Sequence, residues 1–216
     1  MKCDLKGADF SGADLSGRNL GGAFLNGATM AGANLRGINL SGANMERINL
    51  SGANLEGASM VIAKLDEANF DDANLSGAEI NSARLTAVSF KNVRADGADF
   101  SKSRMRGANF TNASLKSANF AGVKAPAIVF INADATGGIF RKAGLAGAKF
   151  RDASLVSADF WSADLWKADL RGANITGANF TRAHLRIAKL PDDMKSANLC
   201  RATMQDGSAS RQGCAN

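Results

Sequence analysis

Ala33-Asn34-Leu35-Arg36-Gly37 is one unit of a five-residue pattern that runs through almost the whole chain. Gly7-Ala8-Asp9-Phe10, Gly12-Ala13-Asp14-Leu15 and Gly177-Ala178-Asn179-Phe180 are further copies. The apolar residue that ends each quotation is the centre of its unit. Centres fall at every fifth position from Leu5 to Leu190 without a slip, 38 in all. Eighteen are Leu, eleven Phe, four Met, two Ile and three Ala. Eleven of the chain's twelve Phe share this register, so coincidence does not explain it. The residue two before the centre is Ala in 28 of the 38 units.

A period of five fits neither an α-helix nor a flat strand. Each unit must send its large residue inward and then turn a corner. Four corners close a square, so twenty residues make one coil. Residues twenty apart should then lie above one another. Phe70, Phe90, Phe110, Phe130 and Phe150 form one such column. Phe100, Phe120, Phe140, Phe160 and Phe180 form a second on the opposite side. The other two columns are mainly Leu, with Leu15, Leu35, Leu55 and Leu75 in one and Leu145, Leu165 and Leu185 in the other. The second inward slot must hold a side chain near Ala in size, because protein interiors are densely packed. Most Gly fall two after the centre, where a tight corner calls for positive φ. At strand spacing the coils stack into a rod about 45 Å long.

The A(D/N)LXX pattern resembles the pentapeptide-repeat family over residues 3 to 204. The resemblance implies an all-β fold, a right-handed quadrilateral β-helix of about nine coils, and it alone supplies the handedness. Residues 1–190 are expected to form the β-helix and 191–216 an irregular C-terminal cap and tail, because the register breaks at Pro191-Asp192-Asp193-Met194. The resemblance says little about function, since one scaffold serves many roles.

The tail from Ala197 to Ser208, with Gly213-Cys214, resembles the C-terminal cap of cyanobacterial and plant members of the family, although Gln205 stands where that cap more often has Pro. A bridge between Cys200 and Cys214 would close a loop worth about 3 kcal/mol. Some plant relatives lie in the thylakoid lumen. The compartment expected is therefore the thylakoid lumen or the periplasm, with a reduced pair in the cytoplasm as the alternative. No apolar run approaches the length of a membrane span, and no signal-peptide core is visible. Cys3 already occupies an inward slot, so either nothing precedes the repeat or a targeting or capping segment has been removed. The uncovered amino end is a candidate site for a homo-oligomer through a solenoid end.

Charge is uneven. Residues 1–100 hold 9 Lys and Arg against 12 Asp and Glu, whereas residues 101–216 hold 17 against 8. Lys64, Arg84, Arg104 and Lys124 take the slot before the centre in four successive coils, which suggests a cationic stripe for an anion or a partner. A solvated outer surface is the plainer reading. Trp161 and Trp166 each follow a centre and should point outward, toward a partner or toward a folded-back tail. Three features look irregular. Arg18 breaks the inward Ala pattern, either as a bulge or with its stem along a wall. Val123 to Phe140 holds small centres and apolar outer residues, for which a distorted coil is the first expectation and a cavity or an apolar patch the others. His184 precedes a centre where Asp or Asn is usual and reads as a solvated or hydrogen-bonded ring.

No catalytic or metal-binding constellation is present, since one His and three scattered Cys cannot build one. Asp159, Asp164 and Asp169 are spaced by the repeat and should bind turn amides. The leading functional reading is a non-catalytic scaffold for protein–protein interaction, without cofactor and with the partner unknown. One alternative follows from relatives that protect DNA gyrase by imitating DNA, which the net charge of +6 opposes. The other is a basic anion- or nucleic-acid-binding surface. Nucleic acid is disfavoured, because few outward aromatics accompany the stripe.

Overall fold

The computed structural model describes residues 3–214. The chain winds as a right-handed quadrilateral β-helix. Each side is five residues long, and two of these go to the corner. The flat part is therefore too short for an extended strand. Each side contributes one bridging residue instead, paired in parallel with the residue twenty further on, as in Asn34↔Asn54 and Asn54↔Asn74.

Most units make the same set of backbone hydrogen bonds. The Leu35 N–H donates to the Asn54 carbonyl of the next coil at 2.7 Å, and the Gly37 N–H to that of Glu56 at 2.9 Å. The Asn54 N–H returns to the Ala33 carbonyl at 2.9 Å. The Ile38 N–H closes the corner on the Leu35 carbonyl at 3.1 Å. That closure, with positive φ at its third residue, is a type II turn. The third residue has positive φ at every corner from Gly7 to Ile187, whether it is Gly or not. The preference for Gly two after the centre follows from this geometry.

Every centre from Leu25 to Leu185 is buried. The two Phe columns stack as the register requires, with Phe90 and Phe110 centroids 4.4 Å apart and Phe100 and Phe120 4.9 Å apart. Rings of opposite columns also meet edge to face in the middle of the square, Phe110 with Phe120 at 5.6 Å and 89°. Aromatic quadrupoles favour both contacts, so the interior is filled and alternately stacked and T-shaped.

The expected distortion at residues 123–140 does not occur. Every rung there is kept, including Ala125 N–H to Gly144 O at 2.8 Å and Ala135 N–H to Ser154 O at 2.8 Å. Where the centre shrinks to Ala125, the inward slot before it grows to Val123, and both are buried. Val93 and Ala95 make the same exchange of volume. Gly138 has no such room to grow, since a Cβ there would meet Ala135 O and the Phe140 ring at 2.9 Å. Arg18 makes no bulge either. Its N–H donates to Leu15 O at 3.2 Å in the ordinary way, and the side chain is exposed at the open first coil. Cys3 is exposed for the same reason, because among the described residues no coil lies beneath it.

Ser103 is the one buried polar side chain among the described residues. Its Oγ donates to Ile80 O at 2.8 Å and accepts from Ala83 N–H at 2.9 Å. It thus stands between the two groups that would otherwise close that corner.

Beyond Leu190 the stacking offset changes from twenty to nineteen, as in Asn179↔Asn198 and His184↔Thr203. Residues 199–204 then pair with a return segment. The Leu199 N–H donates to Gln212 O at 3.1 Å, Arg201 N–H to Ser210 O at 2.8 Å, and Met204 N–H to Ser208 O at 2.8 Å. These donors would otherwise face the open end of the stack. Gln205 Nε2 donates to Ala188 O at 2.7 Å, and Gln212 Nε2 to Met194 O at 2.6 Å.

Candidate interaction surface

Lys64, Arg84, Arg104 and Lys124 are consecutive bridging residues on one face, as their spacing predicts. They are not equivalent. Arg84 is paired with the Asp66 carboxylate, which also accepts the Thr86 N–H at 2.9 Å. Glu46, Arg47 and Glu67 lie around that pair. Lys64, Arg104 and Lys124 have no carboxylate partner among the described residues. The cationic stripe is thus interrupted at Arg84.

A further line of cations, absent from the sequence reading, follows the corner next to this face. Its rungs are fixed by the backbone. Lys102 N–H donates to Ala121 O, Gly122 to Arg141, Lys142 to Trp161 and Ser162 to Thr181, all at 2.9 Å, and Arg182 to Cys200 at 3.0 Å. Lys102, Lys142, Arg182 and Arg201 therefore project from one edge. None of the four has a carboxylate partner among the described residues. Arg141, on the same corner, is neutralised by Asp159.

Trp161 sits in the middle of this edge, and both Trp point outward as expected. Trp161 is partly exposed, with Lys142 Nζ 5.2 Å from its ring centroid. Trp166 is 38% exposed, with Lys167 Nζ over it at 4.4 Å. Two shallow grooves flank Trp161. One, of about 360 Å3, has Ala121 and Gly122 as its floor and Lys102, Arg141 and Lys142 around it. The other, of about 480 Å3, is lined by Thr181, Arg182, Arg201, Cys200 and Cys214. Cys200 and Cys214 are joined, with Cα atoms 4.7 Å apart, and their bridge ties the return segment to the wall of the second groove.

The Asp residues before the centres hold turn amides, as their position suggests. Asp159 accepts from the Trp161 N–H at 3.0 Å and Asp164 from the Trp166 N–H at 3.1 Å. Asp169 accepts from the Arg171 guanidinium at 2.7 Å and from its N–H at 3.3 Å. The Arg171 side chain holds this carboxyl well below the usual range against the opposing effect of burial, and Asp169 raises Arg171 in return. Ser11 and Ser16 lower Asp9 and Asp14 in a similar way. His184 Nδ1 lies 3.1 Å from Asp164 Oδ1, which fits a hydrogen-bonded surface ring. Among the described residues, no group of three or more His, Cys, Asp or Glu could hold a metal ion, and no helix is long and apolar enough to cross a membrane.

The family model described as pentapeptide repeats matches this chain in eight copies, with matched segments between residues 8 and 190. No curated protein matches. Among solved structures, the chain is similar to HetL, a pentapeptide repeat protein involved in heterocyst differentiation regulation in the cyanobacterium Nostoc sp. The two are 26% identical over 94% of this chain and 91% of that one, with a TM-score of 0.64. QnrB1, a plasmid-mediated fluoroquinolone resistance protein, is 20% identical over 90% of this chain and 88% of its own, with a TM-score of 0.57, and shares the fold. A pentapeptide repeat protein from the Arabidopsis thaliana thylakoid lumen aligns over 55% of this chain and 69% of its own at 28% identity, with a TM-score of 0.33.

Proposed function

As the chain belongs to the pentapeptide-repeat family, we propose that it is a non-catalytic scaffold whose cation-rich second half receives an acidic protein partner. One observation carries this reading. Lys102, Arg104, Lys124, Lys142, Arg182 and Arg201 crowd one face and its adjoining corner, and no carboxylate of the chain pairs with them among the described residues. Like charges on neighbouring rungs about 5 Å apart repel by roughly 0.8 kcal/mol in water before screening. An acidic partner would relieve that repulsion and be steered to the surface.

The rod is also rigid, with each side fixed by hydrogen bonds above and below, so little ordering would be needed on docking. Nothing comparable favours imitation of DNA. The acidic residues Glu46, Asp66 and Glu67 are interleaved with Arg47 and Arg84, whereas a copy of a polyanion needs an uninterrupted negative face. The bridged Cys200 and Cys214 suit an oxidising compartment such as the thylakoid lumen or periplasm.

The test is affinity capture from the native source, with wild-type protein and with a variant in which those six cations are replaced by Glu. The expected result is an acidic partner held by the wild type, released by salt and absent from the variant. An unchanged partner set on the variant, or capture indifferent to salt, would reject the reading.

A further inference from the structure

We infer that the corner running from Lys102 to Arg201 is the docking line itself, and that it takes an extended acidic segment of a partner protein lying along the rod. Carboxylates of that segment meet Lys102, Lys142 and Arg182 in turn, and an apolar side chain rests against Trp161. This rests on the proposed function and goes beyond it by choosing one edge and one type of ligand.

Spacing is the first support. Lys102, Lys142 and Arg182 occur on every second coil, with Gly122 and Ser162 between them. Two coils rise about 9.6 Å. Three residues of a polyproline II segment advance about 9.3 Å, and three residues of a strand about 10 Å. An extended chain with an acid at every third position therefore keeps step with the cations.

Backbone cost is the second. Lys102, Lys142, Arg182 and Arg201 have φ between 55° and 61°. A residue with a Cβ gives up about 1 kcal/mol or more in that region, and Gly would not. Six Lys or Arg among the described residues adopt positive φ, and four of them share this single corner out of four. Cations therefore hold four positions of this corner at a backbone cost that Gly would avoid.

The third support is shape. Gly122 and Ala121 leave a trough between Lys102 and Lys142, and a second trough opens between Trp161 and the Cys200–Cys214 bridge. Trp161 separates the two and offers the line's one large apolar surface. A strand of nucleic acid fits less well. Bases need successive aromatic platforms, whereas this corner has one indole, and the Lys142 ammonium lies over it.

The probe is a fluorescein-labelled peptide of four Glu-Pro-Pro repeats ending in Leu, with a Gln-Pro-Pro version as control. Binding is followed by anisotropy at low salt, and Trp161 emission is read in a Trp166→Phe background. The corner is disabled by Lys142→Gly with Arg182→Gly. Gly suits positive φ, so lost binding cannot be attributed to lost folding. The matched control is Arg104→Gln with Lys124→Gln, which removes the same charge from the adjoining face. The acidic peptide is expected to bind and shift Trp161 emission, the corner variant to bind about tenfold more weakly, and the face variant to change by less than about threefold. Equal or larger losses in the face variant, or an unmoved Trp161 emission, overturn the docking line and leave the proposed function standing. Tighter binding of single-stranded oligothymidylate than of the acidic peptide overturns the choice of ligand. Failure of the acidic peptide to bind at all overturns both readings.

Discussion

The two ends of the rod carry the same repeat and end up in different states. In the first coil, Leu5, Phe10, Leu15 and Leu20 occupy the slot that is sealed from Leu25 onward, yet they remain only partly buried. At the other end, the return segment closes over the last rungs, and Leu199 and Ala202 are buried beneath it. A pentapeptide unit therefore does not bury its own centre. The coil above and the coil below do so, and stability along the rod depends on neighbours.

The strongest way to break this comparison is to remove a ring from the middle. Phe120 stacks on Phe100 and Phe140 and meets Phe110 and Phe130 edge-on. Phe120→Ala is expected to cost about 3–5 kcal/mol, whereas Leu5→Ala at the open end should cost about 1 kcal/mol or less. Denaturant titration of both variants checks the ratio, and similar losses would mean that the coils do not act by neighbours. Next in size is the capped end. Replacing Cys200 and Cys214 with Ser should remove about 3 kcal/mol of closure there. Hydrogen exchange should quicken in residues 199–212 and stay unchanged near Leu55. A thiol-trapping assay on native protein is the companion measurement, and two free thiols would remove the case for an oxidising compartment.

A smaller effect of opposite sign is expected at the corners. Ile62 has φ 54° and Ala87 has φ 56°. Changing each to Gly should stabilise by up to about 1 kcal/mol, because the strain of a Cβ in that region exceeds the added flexibility of Gly. Thermal melts that fall for both variants would contradict the turn assignment. The smallest effect is acidic. A carboxyl whose folded pKa is depressed contributes stability above its unfolded value, and that stability is lost as pH falls through the folded value. For Asp169 the loss therefore begins below about pH 4. Asp169→Asn should flatten the stability profile in that window and leave it unaltered near neutrality, apart from a constant offset.

The columns were legible because five divides twenty, so each centre has its vertical partner at a fixed multiple of the repeat. The ion pairs that join a corner to the face of the next coil were not. Asp66–Arg84, Arg141–Asp159 and Arg151–Asp169 are all eighteen apart. They join the first corner residue of one coil to the residue before the centre in the next. Eighteen is no multiple of five, so reading down columns treats Arg84 as equivalent to Arg104, which it is not. The regular backbone at residues 123–140 was missed for a related reason. Ala125 looks like a loss of core until Val123 is placed beside it in the same interior.

The sequence by itself determined the coil length, the inward slots, the two Phe columns and the place where the register ends. These depend on periodicity and side-chain volume, and both are written along the chain. Only the tertiary structure decided which cations keep their charge free, that Ser103 mediates a corner, and that Trp161 separates two cation-walled grooves on one edge. Each depends on contacts between neighbouring columns, and those are set by the direction in which a side chain leaves the corner.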